Sequence, residues 1–194
     1  MPVPTWFTEF GIVGTWAVGL MALFGDRIRA AVFKPKLHLE LKSNVGSHSP
    51  QNDRDGKLIG HARYFHLRVT NRAVFPKAED VQVWLLGVER TGDEQRRPGD
   101  LYVPLPLGWS NGIYPLARTI GSKTKDGVAD LLWVRDNDVL TFVPVVVPLN
   151  FDAQYSGQTH LRVTAIARGL DCESNIVRLK MDWDGASHFA IAEA

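Results

Sequence analysis

Beyond Pro35 the chain stops reading as a helix and starts reading as a series of strands. Leu37, Leu39 and Leu41 alternate with His38, Glu40 and Lys42, the period-two pattern of a strand with one buried face. Phe65, Leu67 and Val69 likewise oppose Tyr64, His66, Arg68 and Thr70. Val177, Leu179, Met181 and Trp183 oppose Ile176, Arg178, Lys180 and Asp182. In VQVWLLGVE the phase of Val81, Val83 and Leu85 slips before Val88, which predicts a bulge near Leu86–Gly87. LYVPLPL sets Leu101, Val103, Leu105 and Leu107 against Tyr102, Pro104 and Pro106. Its two prolines lack donors on the same side, so this is an edge strand or an extended crossing segment.

ADLLWV, VLTFVPVVV and THLRVTAIAR follow at strand-like spacing, and HFAIA closes the set with Phe189 and Ile191 inward. Ser43–Gly60, Thr91–Asp100 and Trp109–Asp126 read as long loops. This pattern predicts an all-β domain over 37–194, with no helix after about residue 33. Turn signals such as Asn111-Gly112 favour an immunoglobulin-like antiparallel β-sandwich over a closed barrel, although the cysteine–tryptophan–cysteine signature of antibody domains is absent.

Composition agrees with a folded core. Hydrophobic residues make up 45% of the 194 and charged residues 22%, which excludes an acidic disordered chain. The single cysteine, Cys172, excludes an intramolecular disulfide and a cysteine-rich zinc site. A net charge of +1 argues against a nucleic-acid partner bound by a broad basic surface. That charge is unevenly placed. Residues 1–36 carry four basic and two acidic side chains, and residues 37–194 carry 18 and 19.

Residues 1–36 form a separate unit. WFTEFGIVGTWAVGLMALF, from Trp6 to Phe24, holds one charge in 19 residues. As a helix it rises about 28 Å, close to the hydrocarbon thickness of a bilayer. Thr5 is an N-cap candidate, and Trp6 suits an interfacial anchor. The strictly apolar part, Phe10 to Phe24, is 15 residues, which leaves a buried helix as one alternative. A cleaved signal peptide is the other, though the basic n-region is missing. The reading favoured by these cues is one N-terminal transmembrane helix.

No Lys or Arg precedes this segment, whereas Arg27, Arg29, Lys34 and Lys36 follow it. The positive-inside rule then expects a single-pass protein of the cell inner membrane with its C-terminal domain cytoplasmic. The same four side chains are candidates for contact with anionic headgroups, at about 1 kcal/mol each. Gly11, Thr15 and Gly19 recur every fourth residue and make a small-residue stripe suited to helix packing in the bilayer.

Catalytic signals are sparse. Gly108-Trp109-Ser110-Asn111-Gly112 is a literal G-x-S-x-G, but prolines interrupt the preceding strand and no βα repeat supplies a parallel sheet. His38, His66 and His160 fall on the polar phase of their strands, and no histidine pair has metal-ligand spacing. Acidic turns at NDRDG, RDND and MDWDG offer calcium-type oxygens without an EF-hand register. Trp109 and Tyr114, read as turn aromatics, are interface candidates.

In order along the chain, DRIRAAVFKPKLHLEL, RYFHLRVTNR, ARTIG with ADL, and the late WDG resemble uncharacterised small bacterial single-pass membrane proteins with an immunoglobulin-like β-sandwich domain. The resemblance implies that architecture and no reaction. The expectation is therefore a membrane-anchored binding or assembly module without catalytic activity, cofactor or metal. Its partners are the bilayer and another protein or a second copy of itself. The alternatives are a membrane-tethered serine hydrolase using Ser110 and a calcium- or lipid-sensing sandwich.

Overall fold

The computed structural model describes residues 25, 34–52, 55–73, 76–91, 99–110, 116–121, 127–135, 139–186 and 188–194. The expected transmembrane segment, its stripe Gly11, Thr15 and Gly19, and the basic residues Arg27 and Arg29 lie outside the described residues, as does Tyr114. Among the described residues no helix is long and apolar enough to cross a membrane. The chain divides into two units, Met1–Lys34 and Pro35–Ala194, and the strands among the described residues lie in the second.

These strands are β1 (Leu37–Leu41), β2 (Ser47–Asn52), β3 (Leu58–Asn71), β4 (Ala78–Arg90), β5 (Leu105–Pro106), β6 (Arg118–Ile120), β7 (Gly127–Arg135), β8 (Leu140–Phe142), β9 (Gln154–Tyr155), β10 (Thr159–Arg168), β11 (Val177–Trp183) and β12 (Phe189–Glu193). They make two antiparallel sheets. One runs β1-β3-β7-β8-β9, with β2 also on β3; the other runs β12-β11-β10-β4-β5, with β6 also on β4.

Alternation explains the core directly. In β11, Val177, Leu179, Met181 and Trp183 are buried while Arg178 and Lys180 are exposed. Phe65, Leu67 and Val69 of β3 join Val81, Val83 and Leu85 of β4 in one apolar cluster between the sheets. The bulge expected near Leu86–Gly87 is present. Thr164 pairs with Gly87 and Ala165 with Leu85, so Leu86 is the extra residue and Val88 returns to the core. A second bulge, in β7, has no such signature in the sequence. Phe65 pairs with Leu132 and His66 with Asp130, which leaves Leu131 and Leu132 both buried.

Two segments depart from the expectation. The polar stretch 43–60 contains β2, which pairs with Tyr64 to Leu58 of β3. β1 occupies the rest of that edge, against Asn71 to Leu67. The register demands a strand there because β3 is long enough to offer its backbone groups to both. Both faces of β2 are largely exposed, so hydrogen bonding holds it and no apolar phase announces it. Gly46, at φ +80, makes the break between the two; a Cβ there would meet the Phe65 ring at 2.9 Å. In LYVPLPL the strand shrinks to two residues at an edge, and Val103 is exposed instead of inward. Leu107 then bridges Pro144, and Trp109 bridges Ala129 in the opposite sheet. The segment is therefore both an edge and a crossing.

That crossing closes one side of the sandwich, helped by the Val145 N–H donating to the Pro106 carbonyl at 2.9 Å. Side chains close the other side. The Leu39 N–H donates to Asn175 Oδ1 at 2.9 Å, and Asn175 Nδ2 donates to the Leu39 carbonyl at 2.9 Å. One amide thus stands in for a strand partner beside a buried leucine. The Leu41 N–H donates to Glu193 Oε1 at 2.8 Å in the same manner. Edges finished this way do not template further pairing. Asn175→Ala removes both bonds to Leu39, and urea unfolding should register a loss of about 1–3 kcal/mol. Asn175→Asp should be no better, because a carboxylate cannot donate to the Leu39 carbonyl.

Candidate functional site

The two ends of the sandwich differ. β1 enters at the end that holds the β3–β4 connection, where Asn71 Oδ1 accepts from the backbone N–H groups of Lys36 and Ala73. Lys36 is exposed there. At the opposite end, the last turn of β4 and the tight β9–β10 connection enclose a cleft of about 480 Å³.

Strand register positions its side chains. Arg90 lies opposite Leu161, and the Thr91 N–H donates to the His160 carbonyl at 2.9 Å. This places Arg90 and His160 on adjacent strands at the cleft. Arg90 Nη2 donates to Asp152 Oδ2 at 3.0 Å, and its guanidinium lies over the Tyr155 ring, 5.1 Å from the centroid. His160 sits directly across from Asp182, with Nδ1 2.7 Å from Asp182 Oδ1. The hydrogen bond from His160 holds the Asp182 carboxyl below its ordinary range, and the nearby Lys180 charge adds to this. His160 Nε2 is left pointing toward the Gln158 amide, 3.5 Å away.

The β9–β10 connection turns at Gly157, φ +86, and packs on the β11–β12 turn at Gly185, φ +83. A Cβ on Gly185 would come within 2.6 Å of the Gly157 backbone, so the second turn has room only for glycine. In the same turn Asp184 Oδ1 accepts from the N–H groups of Ala186 and His188. The late WDG is therefore a side-chain-capped turn that packs against the β9–β10 connection.

Tyr155 is 4% exposed, and its hydroxyl makes no well-formed hydrogen bond among the described residues. Burial pushes its phenol up to about 12, with the charge of Arg90 offsetting part of the effect.

Other sequence candidates fall elsewhere. Trp109 is not an exposed anchor: it is 3% exposed, with Nε1 donating to the Leu116 carbonyl at 2.9 Å and Arg118 over its ring. Its position after the crossing segment turns it inward, and Gly127 leaves the space that its indole fills. Ser110 bonds through its N–H to Val128, near the start of β7, whereas the His160–Asp182 pair lies at the other end of the other sheet. The two do not share a site. His66 also pairs across strands, with Asp130 at 2.9 Å, under a stacked Tyr64 ring. Neither histidine–aspartate pair is legible in the sequence, because the polar phase shows only exposure and register decides which acid stands opposite. Among the described residues no three His, Cys, Asp or Glu side chains gather as a metal site. Cys172 packs beside the core, and burial together with Asp171 pushes its thiol up, away from the reactive thiolate.

No family model matches the chain, and no match was found among curated proteins or solved structures.

The burial pattern sets two expected outcomes. Trp109→Ala should cost about 3–5 kcal/mol of stability in chemical denaturation, as a core deletion does. Tyr155→Phe should leave neutral-pH stability within about 1 kcal/mol of the parent. A phenol that ionises later in the fold than in the unfolded chain stabilises fully below the ordinary tyrosine value and loses that contribution as pH rises toward about 12. Tyr155→Phe should therefore abolish the last tyrosine step in an ultraviolet titration and flatten the alkaline fall in stability.

Proposed function

We propose that this chain is a membrane-tethered β-sandwich that binds a protein partner, with the sandwich on the cytoplasmic face of the inner membrane. The observation that carries the reading is an exposed apolar strip on the closed side of the sandwich. Tyr102, Val103, Val146, Val147 and Leu149 are all exposed, Leu149 fully so. The segments that bear them share a small groove of about 110 Å³, lined by Leu101, Tyr102, Val103, Pro148 and Phe151 with Asp100 and Asn150 beside them. Exposed apolar surface of this kind, concentrated on two neighbouring segments with an aromatic beside aliphatics, suits a protein interface.

Two further features support the reading. The apolar segment from Trp6 to Phe24 and the cations after it fit a tether with its C-terminal side inside. Lys34 and Lys36 are exposed where that tether would join the sandwich, in reach of anionic headgroups. We read the fold as immunoglobulin-like. The neighbours β1-β3-β7 and β4-β10-β11 reproduce the A-B-E and C-F-G pairings of a constant-type domain. The departure is at the outer edge of β7, where β8 follows in sequence and the D strand of the constant type would precede.

Cross-linking in native membranes, followed by mass spectrometry, tests the function. Wild type is compared with a Val147→Asp/Leu149→Asp variant. The expected outcome is a defined set of cross-links from 100–103 and 146–150 to one protein, a second copy counting as one, and their loss in the variant. An unchanged cross-link pattern in a variant with an unchanged melting curve would overturn the reading.

A further inference from the structure

We propose that the cleft between the end of β4 and the β9–β10 turn binds a neutral, polyhydroxylated ligand of the saccharide class. This inference concerns a different surface from the apolar strip and stands independently of it. Size comes first: about 480 Å³ falls within the range of small-molecule sites.

Charge selects among ligands. Among the described residues that line the cleft, Arg90 and His160 already have carboxylate partners of their own. Arg90 is held by Asp152 at 3.0 Å and His160 by Asp182 at 2.7 Å. An anionic ligand competes with Asp152 for Arg90 and enters a region where Asp100 and Asp152 already act on the Tyr155 hydroxyl. A cationic ligand meets Arg90. A neutral ligand leaves both pairs intact.

Hydrogen-bonding chemistry narrows the choice further. The remaining lining groups are mainly the amides of Gln154 and Gln158 and the hydroxyls of Ser156 and Thr159. Amides and hydroxyls both donate and accept, as sugar hydroxyls do. An apolar ligand finds little here, because the phenol ring of Tyr155 is covered by the Arg90 guanidinium. The Tyr155 hydroxyl itself is sealed from solvent, so the partners offered to a ligand are the exposed amides and hydroxyls of the β9–β10 turn.

Saturation-transfer NMR tests the proposal on the full chain in phosphatidylcholine nanodiscs, which avoid sugar-headed detergents. The probes are glucose, maltose and N-acetylglucosamine at millimolar concentration. At least one should receive saturation from the wild type. The Gln154→Ala/Gln158→Ala variant, altered at two exposed side chains, should bind it roughly tenfold more weakly, the loss expected for one or two hydrogen bonds. Added inorganic phosphate should leave the signal unchanged. If the double variant loses its thermal transition, Gln158→Glu replaces it with the same direction of effect. Three outcomes overturn the proposal: no transfer to any probe, transfer undiminished in a folded variant, or displacement by phosphate, which marks an anion site. None of these bears on cross-linking at the strip, so the two readings fail separately.

Discussion

Leu39, Phe65, Leu67 and Val69 from one sheet meet Val83, Leu85, Val163, Leu179 and Trp183 from the other with almost no surface left to water. Burial of these alternating faces is the dominant favourable term for such a fold, and the remaining features are set by it. The bulge at Leu86 and the paired leucines Leu131 and Leu132 adjust the two sheets so that both faces stay filled. Once the faces are sealed, the backbone groups along the sheet edges and the connections at the ends still need partners. The rest of the molecule answers that need.

The two sides are finished by different means. On one, a proline-punctuated segment leaves its own sheet and pairs across, through Leu107 with Pro144 and Trp109 with Ala129. On the other, Asn175 and Glu193 lend side-chain amide and carboxylate groups to the open edge of β1. A two-layer sandwich thereby approaches a closed form without continuous strand pairing, and the outer edge of β1 is covered as a site for further pairing. The crossing also pushes Tyr102, Val103 and the stretch around Leu149 outward. The exposed strip is thus a by-product of how the side is closed, placed on backbone held from both sheets.

At the ends, rigidity and chemistry are coupled. The Gly157–Gly185 contact and the Asp184 cap fix the turn that supports one wall of the cleft. The Arg90–Asp152 and His160–Asp182 pairs fix the polar groups within reach of it. Exposed ion pairs add little stability. Here their consequence is orientation: Asp152 holds the Arg90 guanidinium and offsets its charge, and Asp182 fixes the His160 ring, so neither side chain is free to turn toward a ligand.

Much of this architecture is written in local pattern. The period-two alternation of β1, β3 and β11, the inward Phe189 and Ile191, and the slip at Leu86 are all properties of neighbouring residues. A strand with one wet face must repeat every two positions, and a phase error must be absorbed by a bulge. The apolar segment and its basic exit are likewise local. β2 has no such signature, because hydrogen bonds to β3 hold it and these impose no side-chain pattern. Trp109 reads as a turn aromatic and is a core residue, since its direction depends on a chain crossing and on the space that Gly127 leaves. The pairing of His160 with Asp182 and the reach of Asn175 to Leu39 join residues 22 and 136 positions apart. Such contacts arise from strand register and from the meeting of two sheets, which exist only after the chain has folded. The buried faces are therefore legible in the sequence, and the edges, ends and cleft belong to the tertiary structure alone.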